Sequence, residues 1–127
     1  MIRPLSLLVL DGSIAICRLE ASAAIPTWAA TGSIFSITRT NDELSIVCLQ
    51  SSVPQGVRSE GGWRCLRVAG AMDFSQVGIL ASLVGPLAET GISVFAVSTF
   101  DTDYLLVKEA DFEKARTALR EAGHTIQ

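Results

Sequence analysis

The fold of the second half is decided by residues 92–107, which have the sequence ISVFAVSTFDTDYLLV. From Ile92 to Phe100 apolar residues follow one another almost without a polar face, which is typical of a strand covered on both sides. Asp101-Thr102 predicts a tight turn, and Tyr104 to Val107 predicts a strand that pairs back. The stretch therefore predicts a buried β-hairpin with polar side chains at its closed end.

A helix is predicted on each side of this hairpin. The first covers Phe74 to Glu89, with Asp73 or Ser75 as candidate N-cap and a kink or a loosened last turn at Pro86. Gly91 ends it, as a left-handed C-terminal cap would. Its apolar positions at helical spacing include Val77, Leu80, Val84 and Leu87.

The second helix runs from Phe112 to Ala122, with Asp111 as its cap and Gly123 at its end. Its predicted buried stripe consists of Phe112, Ala115, Leu119 and Ala122. Strands are predicted before the first helix (Trp63 to Ala69) and after the second (His124 to Ile126). The order β-α-β-β-α-β is the split βαβ plan of an α+β domain, with both helices on one face of the sheet.

The first half contains strands without long helices. Leu5–Leu10 and Ile14–Leu19 flank Asp11-Gly12, a strong hairpin signal, and Ile34–Thr40 is followed by Leu44–Leu49. Residues 51–62 carry one proline and three glycines and have no periodicity, which marks a boundary. We expect two parts, residues 1–60 and 61–127.

Composition excludes several classes. The chain has 127 residues, of which 49% are hydrophobic and 18% charged, with a net charge of −3. The longest apolar stretch, Val77–Ala88, is interrupted by Gly85-Pro86 and is shorter than the about 20 residues of a membrane span. We expect residues 1–13 to form a strand and not a signal peptide. Because the basic residues are scattered singly, nucleic-acid binding is not expected. The apolar excess predicts a doubly covered sheet, self-association, or both.

Catalytic and metal-binding signals are missing from the sequence. Cys17, Cys48 and Cys65 lie in apolar runs without C-x-x-C spacing, which predicts buried thiols in a reducing cytosol. We expect His124 to be a solvated residue at a helix end, and no G-x-S-x-G or phosphate-loop motif occurs. Asp101 and Asp103 could act as an acid–base pair, although turn solvation is the simpler role for Asp101. We therefore expect no enzyme activity, no metal and no cofactor.

The polar hairpin end, Ser98 to Tyr104, allows two interpretations. Its hydroxyls and carboxylates bond one another and the turn, or they contact a ligand, since an unpaired buried polar group costs about 1–3 kcal/mol. The loop from Gly70 to Gln76 leads into a helix N-terminus, where free N–H groups favour a carboxylate. Both features together point to an amino acid as ligand.

Three stretches carry a family resemblance: FSQVGIL at residues 74–80, PLAETGISV at 86–94 and STFDTDYLLV at 98–107. They resemble the ACT domain, a βαββαβ regulatory unit that binds small ligands, and the third stretch is most similar to tandem-ACT proteins of the cytosolic arginine-sensor type and their small bacterial relatives. IFSITRT at 34–40 with ELSIV at 43–47 resembles the N-terminal unit of these proteins. The resemblance implies an α+β, ferredoxin-like ACT domain preceded by a degenerate, strand-rich ACT-like unit.

The resemblance also implies a ligand site made of three groups. The first is the loop before the helix, which would hold ligand backbone groups: Met72, Asp73, Phe74, Ser75, Gln76, Val77 and Gly78. The second is Ser93 and Val94, which would contact ligand across a domain interface. The third is the hairpin side, with Asp103 suited to a cationic end: Thr99, Phe100, Thr102 and Asp103.

We accordingly expect a non-catalytic, cytoplasmic sensor that binds an amino acid and regulates a protein partner, with no membrane association. Sensors of this type carry four ACT units, whereas this chain has about two, so a homodimer would restore the number. The alternatives are an interaction scaffold without ligand and, less consistent with the residues, a small enzyme.

Overall fold

The computed structural model of this protein describes residues 4–69 and 78–127. The strands are β1 (Ser6–Val9), β2 (Ile14–Leu19), β3 (Ser36–Arg39), β4 (Leu44–Leu49), β5 (Arg58–Val68), β6 (Val94–Ser98), β7 (Asp103–Lys108) and β8 (Thr125–Ile126), and the helices are α1 (Ile79–Glu89) and α2 (Phe112–Glu121). No helix of the described residues is both long and apolar enough to cross a membrane.

The contacts group the chain into two compact units. The inserted unit is Asp11–Trp63, and the terminal unit combines Met1–Leu10 with Arg64–Gln127. This grouping places the first ten residues with the C-terminal half. That residues 1–60 form one domain and residues 61–127 another stays a prediction.

The inserted unit is an antiparallel sheet in the order β3–β4–β2–β5. Ala15 and Cys17 of β2 share one face of this sheet, because side chains of a strand alternate between its two faces. The buried core residues are Ala15, Cys17, Ala29, Leu44, Ile46 and Cys48. The strands predicted at Ile14–Leu19 and Leu44–Leu49 are confirmed.

Strand β5 begins at Arg58, five residues before the predicted start at Trp63. Gly62 has φ 76°, a conformation that glycine adopts without strain. The register to β2 shifts here, because Ile14 pairs with Trp63 but Ile16 pairs with Glu60. Gly61 and Gly62, which the sequence placed in a boundary segment, therefore lie at a bulge inside a strand.

The terminal unit has the predicted element order β5–α1–β6–β7–α2–β8, and its sheet has the strand order β6–β7–β5–β1–β8. Both helices pack on this sheet because each has an apolar stripe that must leave water. The buried cluster is Leu7, Leu66, Val68, Leu83, Leu87, Ile92, Leu105, Val107, Phe112, Ala115, Leu119 and Ile126. The predicted α+β fold is confirmed.

The hairpin predicted between residues 5–10 and 14–19 is wrong. β1 pairs antiparallel with β5, where Leu7 lies opposite Val68, and parallel with β8, where Leu7 lies opposite Ile126. Leu7 is fully buried in the terminal-unit core. Gly12, at φ 90°, does turn the chain, but it leads from one unit into the other. Burial of the β1 side chains thus outweighs a local turn signal.

Each helix differs from its prediction at one end: α1 at its start, and α2 by one residue at its C-terminal end, Glu121. α1 begins at Ile79, because Gly78 has φ 81° and cannot belong to a right-handed helix. The predicted helical residues 74–77 lie outside the described residues. The candidate caps Asp73 and Ser75 lie outside the described residues. Gly91, at φ 78°, confirms the predicted left-handed end. In α2, Asp111 precedes the helix without a side-chain capping bond, and Ala122 lies exposed beyond the buried stripe.

Strand β6 lies at one edge of the terminal-unit sheet, where its strand partner among the described residues is β7. Val94, Phe95 and Val97 are half-buried, and Ala96 is exposed. The apolar run predicted a strand covered on both faces. Among the described residues that prediction is wrong, because no side chain of β6 is fully buried.

Candidate functional site

The closed end of the β6–β7 hairpin gathers the polar residues singled out by the sequence. Ser98 lies opposite Asp103 in the strand register. The turn between them is closed by Thr99, whose N–H donates to the Thr102 carbonyl at 2.8 Å and whose hydroxyl donates to the same oxygen at 3.1 Å. Phe100, with 78% of its surface exposed, lies at the tip of this turn.

Asp103 is the buried acid of this cluster, with 7% of its surface exposed. The hydroxyl of Ser98 donates a hydrogen bond of 2.5 Å to its Oδ1. A carboxylate accepts up to about four hydrogen bonds, so one bond leaves acceptor capacity. The sequence interpretation placed Asp103 in the site without Ser98, although the hairpin register would have identified Ser98 as its cross-strand neighbour.

Thr102 connects the hairpin end to the strand that precedes the predicted ligand loop. Its hydroxyl is buried and donates to the carbonyl of Val68 at 2.8 Å. Val68 is the last residue of β5, and the loop predicted to hold ligand backbone groups follows. The hairpin end and the C-terminal end of β5 are therefore adjacent in the fold.

The predicted loop residues Met72, Asp73, Phe74, Ser75, Gln76 and Val77 lie outside the described residues. Gly78 is described and occupies the N-cap position of α1, without a side-chain capping bond. The first amides of a helix have no acceptor within the helix. The start of α1 therefore offers N–H groups to water or to an anionic group.

Ser93 and Val94 lie at the other end of β6 from Thr99, Phe100, Thr102 and Asp103. Val94 pairs with Val107, whereas Ser98 pairs with Asp103. Four residues of extended strand separate these positions by about 13 Å. One terminal unit alone does not bring the two groups of predicted residues together.

The sequence allowed the polar groups of the hairpin end either to bond one another or to contact a ligand. Several of them do bond one another or the neighbouring backbone. Ser98 bonds Asp103, Thr99 bonds Thr102, and Thr102 bonds Val68. These bonds rigidify the turn and order the side chains around it. A ligand role for the same residues stays a prediction.

His124 differs from its prediction as a solvated residue. It is 6% exposed, and the Leu5 N–H donates to its Nδ1 at 3.1 Å. Nε2 then carries the ring proton and faces the Ser82 carbonyl oxygen at 3.2 Å. Both ring nitrogens hold backbone groups in place. The sequence could not show this, because the partners lie 119 and 42 positions away.

The three thiols are buried, as predicted. Burial raises the pKa of Cys65 to about 12. Burial, with Cys48 as a neighbour, raises the pKa of Cys17 to about 11, and burial also raises the pKa of Cys48. A thiol with a raised pKa is a poor nucleophile near neutral pH. Within residues 4–69 and 78–127, no group of three His, Cys, Asp or Glu residues is placed to hold a metal ion.

The terminal unit thus belongs to the class of α+β domains of ferredoxin-like type, and it carries polar side chains at the closed end of one hairpin. A family model described as ACT domain matches residues 58–121, and the chain belongs to this family. A second model, which describes the N-terminal domain of another family, matches residues 12–56.

Individual relatives agree with this assignment. A solved protein from Agobacterium tumefaciens is 48% identical, with a TM-score of 0.95 over 99% of this chain and 94% of that chain. The human cytosolic arginine sensor for mTORC1 subunit 1 is 44% identical over 48 residues, which are 37% of this chain and 15% of the sensor. The regulatory subunit of aspartate kinase from Thermus thermophilus has the same fold, with a TM-score of 0.63 at 11% identity over 90% of this chain and 94% of that chain.

Proposed function

We propose that this protein is a non-catalytic, cytoplasmic sensor that binds an amino acid between the terminal units of two identical chains. Membership in the ACT domain family supports a regulatory role. The match to an arginine sensor supports an amino acid as ligand, although it covers 15% of that protein. The observation that carries the proposal is the position of two predicted groups at opposite ends of an apolar edge strand.

Self-pairing of β6 would bring those two groups together. An antiparallel pair of β6 strands with full overlap has its twofold axis at Ala96. Val94 then lies opposite the partner's Ser98, and Ser93 lies opposite the partner's Thr99. The hairpin end of one chain and the strand start of the other would face one ligand. Two equivalent sites would form, one at each end of the shared strand pair.

The β6 edge suits such a partner. Val94, Phe95 and Val97 are apolar and half-buried, and Ala96 is exposed. A strand at the edge of a sheet can pair with a strand of another chain. Burying the remaining surface of these side chains would add about 25 cal/mol per Å². The high hydrophobic content of the chain, 49%, agrees with self-association.

The polar groups suit an amino acid. A ligand ammonium, or a cationic side chain, would find acceptor capacity on Asp103. A ligand carboxylate would find N–H donors at the start of α1, which has no side-chain cap. Both groups lie in the terminal unit, and the bond from Thr102 to Val68 fixes the hairpin end beside the last residue of β5.

Two alternatives are separable from this proposal. A scaffold without ligand would dimerise but would not respond to amino acids. A small enzyme would need a general base, and both nitrogens of the chain's single histidine already bond the backbone. A change in dimer stability on ligand binding would be the regulatory output, set by the ligand's differential affinity for the two states.

Thermal melting with each standard amino acid tests ligand binding. A ligand at about 100 times its Kd stabilises the native state by about 2.7 kcal/mol. Asp103→Asn should abolish the shift, because the amide offers one oxygen and no charge. Asp101→Asn, at the exposed tip of the same turn, is the matched control and should leave the shift unchanged. If no amino acid raises the melting temperature of the unaltered protein, the scaffold alternative replaces the sensor.

Charge substitutions at Ala96 test the dimer. Ala96→Glu and Ala96→Lys each place two like charges opposite one another at the twofold axis, which disfavours pairing. Each variant alone should be monomeric by light scattering at tens of micromolar, and an equimolar mixture should recover the dimer. Dimers of both single variants would exclude this strand pairing.

A further inference from the structure

Two guanidinium groups converge on one aromatic ring in the terminal unit. The Cζ of Arg64 lies 4.7 Å and the Cζ of Arg116 lies 5.6 Å from the centroid of the Phe112 ring. The two positive charges therefore lie within about 10 Å of each other, each in cation–π distance of the ring. Like charges this close repel each other unless negative charge is near.

The negative charge that the described residues supply reaches one of the two groups. Nη1 of Arg116 lies 3.4 Å from Oε2 of Glu113, whose side chain is 81% exposed, so this ion pair is weak. Nε of Arg116 is buried and has no acceptor. Among residues 4–69 and 78–127, no hydrogen-bond acceptor or carboxylate is paired with the Arg64 guanidinium. The positive charge of this cluster is therefore only partly neutralised by the described residues.

We propose that Arg64 and Arg116 form a phosphate-binding site at the start of α2. Each guanidinium carries five N–H donors in a planar fork that matches the oxygens of a phosphate group. A phosphate with a charge near −2 would neutralise both side chains. Both guanidinium groups contact the ring of Phe112, which is buried in the core and restricts their movement. The exposed carboxylate of Glu113 would compete with the phosphate for Arg116. This site is independent of the amino-acid site proposed above.

A titration with inorganic phosphate, followed by NMR at constant ionic strength with chloride as reference, tests the proposal. Arg64→Gln should weaken binding at least about tenfold, because it removes a charge-assisted fork. Arg64→Lys keeps a cation over Phe112 and should retain the fold, yet it should also bind phosphate more weakly. Glu113→Gln should bind phosphate more tightly, because the competing carboxylate is gone. Lys114→Gln, an exposed cation on the same helix, should bind as the unaltered protein does.

The opposite results would overturn the site. If phosphate produces no saturable shift beyond that of chloride, the guanidinium groups serve only to cover the Phe112 ring. If Lys114→Gln weakens binding as much as Arg64→Gln, the attraction is a general charge effect. A second titration with glycerol 3-phosphate distinguishes whether the site binds a phosphate monoester or free inorganic phosphate. Tighter binding than inorganic phosphate indicates a phosphate monoester, and weaker binding indicates the free ion.

Discussion

The imidazole of His124 bonds the one carbonyl of α1 that Pro86 leaves without a helical donor. That carbonyl belongs to Ser82, four residues before Pro86, and its oxygen lies 3.2 Å from Nε2 of His124. Proline has no N–H to give to the residue four positions earlier. The side chain from the C-terminal end of the chain thus supplies the missing donor and, through Leu5, also holds β1.

His124→Ala should destabilise the protein by about 2–5 kcal/mol, because two backbone groups lose their partner. Urea unfolding measures the loss. The informative comparison is the same substitution in a Pro86→Ala background, where residue 86 regains an N–H for the Ser82 carbonyl. There the loss should be smaller by about 1 kcal/mol. Equal losses in both backgrounds would show that the bond between His124 and Ser82 contributes nothing.

Local patterns predicted the terminal unit well, and long-range partners explain what they missed. The β6–β7 hairpin, α2 and the turn at Gly91 depend on neighbouring residues, so periodicity and turn chemistry reveal them. The pairing of β1 is different. The apolar run of β1 could be buried either by a hairpin with β2 or by insertion between β5 and β8, and the sequence near β1 does not distinguish the two.

In the functional sites, too, the sequence revealed features set by neighbouring residues and missed those set by distant ones. The polar character of the hairpin end was evident from the sequence, because hydroxyls and carboxylates stood at the end of an apolar run. The convergence of Arg64 and Arg116 on Phe112 was not, because one arginine lies on β5 and the other on α2. Basic residues that appear scattered along a sequence are brought together by folding, and no local pattern records it.

Leu7→Ala should destabilise the protein by about 2–5 kcal/mol, the usual cost of removing a fully buried leucine side chain. Leu7 joins the terminal-unit core from a strand that the sequence assigned to a different hairpin. Leu8→Ala is the matched control, because Leu8 is half-buried and should cost less. Chemical unfolding measures both. A loss at Leu7 no greater than that at Leu8 would contradict the insertion of β1 between β5 and β8.

Thr102→Val should destabilise the protein by about 1–3 kcal/mol, because the Val68 carbonyl loses its buried hydroxyl donor while the shape of the side chain is kept. Thr99→Val, in the exposed part of the same turn, should cost less. If the two substitutions cost the same, the link from the hairpin end to β5 is not a source of stability. Melting in the presence of a stabilising amino acid would then show whether this link also positions the ligand.

Alkaline pH should lower the stability of the protein through its buried thiols. Burial raises the pKa of Cys17 to about 11 and that of Cys65 to about 12, from an ordinary value of 9.0. Between pH 9.0 and the raised pKa of each thiol, the unfolded chain releases thiol protons that the folded chain retains. The contribution of the neutral thiols is therefore complete below pH 9.0 and is lost as the pH rises toward 11 and 12.

Cys65→Ala isolates this effect from the other groups that ionise at high pH. The variant should be less stable at pH 7, because it leaves a cavity, yet its free energy of unfolding should fall less steeply between pH 9.0 and about 12. Val68→Ala, which also truncates a buried side chain of β5, should lose stability at pH 7 and keep the original slope. Urea unfolding at a series of pH values measures both slopes. Identical slopes for Cys65→Ala and Val68→Ala would mean that the Cys65 thiol ionises as readily in the folded protein as in the unfolded chain.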